Sequence, residues 1–165
     1  RSRRPRRASP EPRHPIMANP AVVAIHLNTG SREPLVAAPS VEARPGQGLD
    51  GDRSRRPNRA VLLMEQEGLD RFGLTAGAVR EQVTVRGITL AELPPASRLR
   101  IGTSVLEAGG MCAPCERMNE LKPGLRAELE GRRGRFFRIV EAGGFAVGDD
   151  ITILPPLTPA RMPAA

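Results

Sequence analysis

Arg98-Leu99-Arg100-Ile101-Gly102-Thr103-Ser104-Val105-Leu106-Glu107 sets two short, apolar-rich runs on either side of a glycine. Each run has the length of a strand, and Gly102 supplies the turn between them. The same unit recurs outward in both directions. Toward the N-terminus lie Val22-Val23-Ala24-Ile25-His26-Leu27, Leu35 to Ala38, Val41 to Ala43, Ala60-Val61-Leu62-Leu63-Met64 and Val83-Thr84-Val85, punctuated by Gly30, Pro34, Pro45, Gly46 and Gly87. Toward the C-terminus lie Phe136 to Val140 and Ile151 to Leu154. Between these runs the sequence leaves room only for brief helices. One is expected over Gln66 to Phe72, and one over Ala76 to Glu81 with Thr75 as its N-cap. Two more are expected from Pro114 to Leu121 and from Pro123 to Leu129, where each proline suits a first helical turn. Many short strands with few helices predict a mainly β protein, a closed or nearly closed β-barrel carrying short helical decorations.

The chain has 165 residues, 39% hydrophobic and 26% charged, which suits one compact domain. Its net charge of +7 suggests a nucleic-acid binder until the charge is located. Six arginines and one glutamate fall in residues 1–16, so the remainder, with 19 basic and 17 acidic residues, is nearly neutral. Single-strand binding also wants aromatic stacking surfaces, and the chain has four Phe with no Trp or Tyr. Nucleic acid is therefore not expected as a partner. Residues 1–16 read as a disordered basic tail, 17–154 as the folded domain, and 155–165, with four prolines, as an extended tail. Pro5, Pro10, Pro12 and Pro15 oppose an amphipathic transit helix in the basic tail. No apolar run approaches the roughly 18 residues a spanning helix needs, and two cysteines are too few for a secreted disulfide scaffold. A cytoplasmic protein without membrane attachment is the expectation.

Cys112 and Cys115 lie in Met111-Cys112-Ala113-Pro114-Cys115-Glu116-Arg117-Met118. With Pro114 at the first helical position, Cys115 falls in the first turn, where free N–H groups favour a thiolate. A thiolate is both a nucleophile and a soft metal ligand. On these residues alone a reactive Cys115 and an inert buried one are equally supported. Cys112 reads as a supporting thiol or an ordinary loop residue. Zinc is not expected, since two cysteines, His14 and His26 make a poor ligand set.

Four separated segments resemble a known family. They are Gly48-Leu49-Asp50-Gly51-Asp52-Arg53 with Arg59 and Val61 to Glu65; Arg80 to Leu90 leading to Leu99-Arg100-Ile101-Gly102; the Met111 to Met118 segment; and Gly134 to Val140 with Gly144 and Gly148-Asp149-Asp150. Their order and spacing resemble the small single-domain type of the MOSC family, the domain at the C-terminus of molybdenum cofactor sulfurases. Arg80-Glu81-Gln82 stands where relatives commonly have Arg-x-Asn, and Ser54 where they often have His.

The resemblance implies a MOSC-type β-barrel that binds molybdenum cofactor or carries sulfur, with Cys115 as the metal ligand and catalytic thiol and Cys112 beside it. Arg53, Arg59 and Arg80 then become candidates to clamp a cofactor phosphate. The implied activity is reduction of N-hydroxylated small molecules, with a non-catalytic persulfide or cofactor carrier as alternative and a Cys-x-x-Cys thiol redox protein as the third. Such a reductase needs separate electron-donor proteins, since the chain carries no ferredoxin-like cysteine set and no dinucleotide fingerprint. Pyridoxal phosphate is not expected, because the one lysine, Lys122, sits outside any suitable motif.

Overall fold

The structure is a computed structural model that describes residues 18–54 and 56–158. The expected basic tail, and residues 159–165 of the expected C-terminal tail, lie outside the described residues. Among the described residues eleven strands follow in order: β1 (Ala21–Leu27), β2 (Val36–Ala38), β3 (Ser40–Arg44), β4 (Gly48–Leu49), β5 (Val61–Glu65), β6 (Val83–Arg86), β7 (Arg98–Ile101), β8 (Ser104–Met111), β9 (Arg135–Glu141), β10 (Gly143–Ala146) and β11 (Ile151–Ile153). The helices are α1 (Gln66–Arg71), α2 (Arg117–Leu121) and α3 (Leu125–Glu128), with single 3-10 turns at Pro57–Arg59 and Leu90–Glu92. No helix among the described residues is long and apolar enough to cross a membrane.

Eight strands form one sheet in the order β11-β7-β8-β9-β5-β6-β1-β2, and β10-β3-β4 form a smaller one. Every pairing is antiparallel except that of β5 with β6, which α1 bridges. The mainly β reading holds, but the barrel is open. The large sheet curls until the start of β1 meets the turn before β11: Val22 N donates to Asp149 O at 2.9 Å and Ile151 N to Pro20 O at 2.7 Å. A single bridge, Ala21 to Asp150, stands where a closed barrel would have a ladder. The cause is competition for one edge, since β2 pairs with β1 from Ile25 to Leu27 and leaves only its first residues free.

Two apolar clusters lie on opposite sides of β5. Leu63 packs with Ile25, Val83, Leu106 and Phe137 inside the curl. Met64 packs outside it with Leu69, Val79, Met118, Leu125 and Leu129. A strand covered on both faces has no solvent side, which is why Val61-Leu62-Leu63-Met64 is continuously apolar rather than alternating. Met118 and Leu125 tie α2 and α3 to the outer cluster and so fix the segment that bears both cysteines. Each such buried side chain contributes on the order of 1.5–3 kcal/mol.

The helix expected over Ala76 to Glu81 is replaced by consecutive turns. Gly77 and Arg80 both adopt positive φ, 86° and 64°, which a helix cannot hold. Glu81 is the reason. Its side chain is fully buried, and its Oε1 accepts from Gly77 N at 2.6 Å and from Thr84 Oγ1 at 3.0 Å, so the carboxylate organises the segment in place of a helical ladder.

Burial pushes the Glu81 carboxyl above its usual range, against the pull of Gly77, Thr84 and the neighbouring His26. A carboxyl held high in the folded state favours folding while protonated, and that contribution is lost as pH rises through its native value. Glu81→Gln keeps an oxygen for Gly77 and Thr84 and has no charge to bury. Its melting temperature is expected to lie near wild type at about pH 4 and to exceed it increasingly toward about pH 8. Thermal melts showing a constant difference over that range would contradict this.

Candidate functional site

Gly109 and Gly110 interrupt the β8–β9 ladder. Ala108 pairs with Phe137 and Met111 with Arg135, so two residues of β8 oppose the single Phe136. Such a bulge re-aims the strand end. The chain leaves β8 toward Gly134, whose carbonyl accepts from Cys112 N at 3.0 Å. Cys112 is buried, with 5% of its surface exposed, whereas Cys115 is exposed, and both thiols are free. The helix expected from Pro114 begins only at Arg117, because Cys115 and Glu116 form a turn in which Cys115 O accepts from Met118 N at 2.9 Å. Cys115 therefore precedes the helix and does not sit in its first turn.

Arg133 is the partner of Cys112. Its Nη1 donates to Cys112 Sγ at 3.2 Å and to Ala113 O at 3.0 Å, and its Nη2 donates to Val79 O at 3.2 Å. The side chain is buried and its Nε has no hydrogen-bond partner. Arg56 approaches from the loop before β5. Its Nη1 donates to Gln82 Oε1 at 2.8 Å and Ser54 Oγ at 3.3 Å, and its guanidinium lies 5.5 Å from the centre of the Phe136 ring. Gln82 Oε1 also accepts from Leu62 N at 2.9 Å, so one buried amide oxygen links this arginine to the middle of the sheet.

Arg80 donates to Glu33 O at 2.9 Å and Asn28 Oδ1 at 3.2 Å. Its pKa is lowered by desolvation and by Arg117, with Asp52 opposing. Burial likewise lowers Arg56, with Arg133 and Arg80 adding to the effect and Cys112 and Asp52 resisting it. Asp52 is the nearby carboxylate, but it is occupied by the backbone: Oδ2 accepts from Asn28 N at 2.9 Å and Oδ1 from Ser54 N at 2.7 Å. It ties down the loop, as Asx side chains do. Among the described residues, Arg56, Arg80 and Arg133 form no salt bridge with any carboxylate. Buried cations are ordinarily paired, so this neighbourhood carries an excess of positive charge around a sulfur. Burial pushes the Cys112 thiol up, while Arg133 and Arg56 pull it down.

The residues singled out in the sequence do not all meet. Cys112, Cys115 and Arg80 belong to this neighbourhood. Arg53 is exposed, and its backbone N donates to Asn28 O at 2.7 Å. Arg59 is also exposed and spends its Nη1 on Ser54 O at 2.8 Å. Arg56 and Arg133 escape a sequence reading because neither lies in a motif. Their one signal is position, Arg56 three residues from Arg59 and Arg133 immediately before Gly134, and only the folded register brings them to Cys112.

The fold is shared with solved structures of low sequence identity. YiiM from Geobacillus stearothermophilus superposes with a TM-score of 0.66 at 16% identity, over 82% of this chain and 75% of that one. The YUAD protein from Bacillus subtilis gives 0.67 at 16% identity, over 80% and 94%. YiiM from Escherichia coli gives 0.63 at 14% identity, over 84% and 72%. No match is found among curated protein sequences. The sequence pattern of the MOSC domain matches residues 50–152, a span that takes in Asp52, Arg56, Arg80, both cysteines and Arg133. With well over half of its length matched, the chain belongs to the MOSC domain family.

Proposed function

We propose that this MOSC domain binds a molybdenum cofactor at the cysteine-bearing loop and reduces N-hydroxylated small molecules there. The observation that carries this reading is the buried guanidinium of Arg133, which meets a sulfur and two carbonyls and no carboxylate, with the half-buried Arg56 and Arg80 beside it and likewise without a carboxylate partner among the described residues. Such a set suits an anion that brings its own charge, and guanidinium forks match phosphate oxygens. Cys115, exposed beside them, is the accessible soft donor a thiophilic metal prefers. Bound there, a molybdenum cofactor would supply oxygen-atom and electron-pair chemistry. The protein's part is to hold the phosphate with Arg56 and Arg80, to fix the loop through Asp52, and to keep Cys112 turned into Arg133. Arg53 and Arg59 take a lesser share, since both are exposed and their charge is the more screened by solvent. Electrons would come from separate donor proteins.

One observation favours the carrier alternative. Cys115 is open to solvent, as a thiol that accepts and delivers sulfur must be. Protein made in a host that synthesises the cofactor separates the two. The proposal expects about one molybdenum per chain together with pterin fluorescence. Arg56→Ala and Arg80→Ala should each weaken retention roughly ten- to hundredfold, the loss of a charge-assisted hydrogen bond at about 1.5–3 kcal/mol. Protein free of molybdenum but rich in cyanide-releasable sulfur would favour the carrier.

A further inference from the structure

Four consecutive residues, Val79-Arg80-Glu81-Gln82, hold or supply all three arginines around Cys112. Val79 O accepts from Arg133 Nη2 at 3.2 Å, and Arg80 O accepts from Arg56 Nη2 at 3.4 Å. Gln82 Oε1 accepts from Arg56 Nη1 at 2.8 Å, and Arg80 brings its own guanidinium. Glu81 is the one polar side chain of the four that makes no hydrogen bond to an arginine. Its Oε1 goes instead to Gly77 N and Thr84 Oγ1, four residues before it and three after. We infer that Glu81 is the positioning residue of this arginine set: its carboxyl locks the turn that holds Arg56, Arg80 and Arg133, while Glu81 itself lies out of reach of what they bind. How the arginines are held stands on these hydrogen bonds alone, whereas their holding a cofactor phosphate rests on the proposed function.

Two observations carry the inference. The first is backbone conformation. Arg80 has φ 64°, in the left-handed region that residues with a side chain rarely adopt, and the hydrogen bonds of Glu81 bracket it on both sides. Neighbouring carbonyls in a helix point the same way along its axis, but here Val79 O and Arg80 O serve different arginines. Three cations without a carboxylate partner among the described residues stay together only on such a fixed frame. The second is cost. Glu81 is wholly buried and its Oε2 has no hydrogen-bond partner, which a residue kept for packing alone would not tolerate. Backbone strain at Arg80 beside an unpaired oxygen at Glu81 marks a place where the fold gives up stability for geometry.

The test compares Glu81→Met, which keeps the length of the side chain and loses the strong acceptor, with Glu81→Gln, which keeps an acceptor. Each is produced alongside the cofactor, assayed for bound molybdenum, and treated with a thiol reagent whose adducts are located by peptide mass. In Glu81→Met the turn loosens and Arg133 loses Val79 O, so Cys112 should be labelled about tenfold faster than in wild type. Molybdenum retention should fall by about tenfold as well. Glu81→Gln should match wild type in both readouts. Ile151→Ala, in β11 at the far edge of the large sheet, controls for lost stability alone and should leave Cys112 protected. Should Glu81→Met not fold, Thr84→Val removes one of the two donors to the carboxyl and should move both readouts the same way by about threefold. Slow labelling of Cys112 in Glu81→Met, or in Thr84→Val where that variant stands in, would overturn the inference. Equal acceleration in Ile151→Ala, or a loss in Glu81→Gln as large as in Glu81→Met, would do the same. The two readings fail separately. A wild type without molybdenum, with Cys112 released in Glu81→Met but not in Ile151→Ala, keeps the positioning role and loses the cofactor. Molybdenum bound equally by wild type and Glu81→Met, with Cys112 protected in both, does the reverse.

Discussion

Cys115→Ser is expected to leave the protein folded and without molybdenum when it is produced alongside the cofactor. The side chain is exposed, so exchanging sulfur for oxygen removes little buried contact and the melting temperature should move by no more than a degree or two. The chemistry changes far more. A serine hydroxyl stays protonated at neutral pH and is a hard donor, so neither metal ligation nor a persulfide survives. Cys112→Ser should be the milder change for the metal. Cys112 is buried against Arg133, and a hydroxyl can still accept the Nη1 hydrogen bond made at 3.2 Å in the wild type. Comparison of bound molybdenum, cyanide-releasable sulfur and reductase activity with a chemical donor distinguishes the three functions. A dithiol protein needs both sulfurs and should lose everything in either variant. A single-ligand site should fail only in Cys115→Ser, and full retention in that variant would remove Cys115 from the centre of the mechanism.

The strands were legible wherever burial left a pattern. Val61 to Met64 announced a strand by being apolar throughout, and the two clusters either side of β5 show why it is so. β4 and β10 were not legible, because Gly48-Leu49 and Gly143-Gly144-Phe145-Ala146 are short and glycine-rich, and pairing with β3 supplies what their own sequence does not. The helix after Thr75 looked sound from its cap, but one buried carboxylate, Glu81, outweighed that local preference. The site divides in the same way. The cysteines and Arg80 lie in motifs, and motifs survive in a linear reading. Arg56 and Arg133 act through the register of β5 with β9 and of Cys112 with Gly134, which composition and spacing do not encode.

Gly134→Ala is expected to be among the most damaging of the single-methyl changes. Gly134 has φ +89°, where an L side chain is strained by about 1–3 kcal/mol. Its Cβ would also overlap the carbonyl oxygen of Leu63, in the strand that pairs Leu63 with Arg135 at the entry to β9. Relief of that overlap moves either β5 or β9, and a disturbed buried backbone hydrogen bond adds another ~1–3 kcal/mol. For a chain of this size, roughly 2–4 °C per kcal/mol gives a fall in melting temperature of roughly 5–20 °C. The loss reaches the site as well, because Gly134 O holds Cys112 N and Arg133, the preceding residue, holds Cys112 Sγ. In the wild type a thiol reagent should modify exposed Cys115 quickly and buried Cys112 slowly, whereas in Gly134→Ala both should react quickly. Gly131→Ala is the control: its φ is also positive, at +69°, but a Cβ there meets nothing within 4 Å, so only the backbone strain remains. If the two variants melt together and leave Cys112 equally protected, the close approach of Gly134 to Leu63 does not set the position of the cysteine loop.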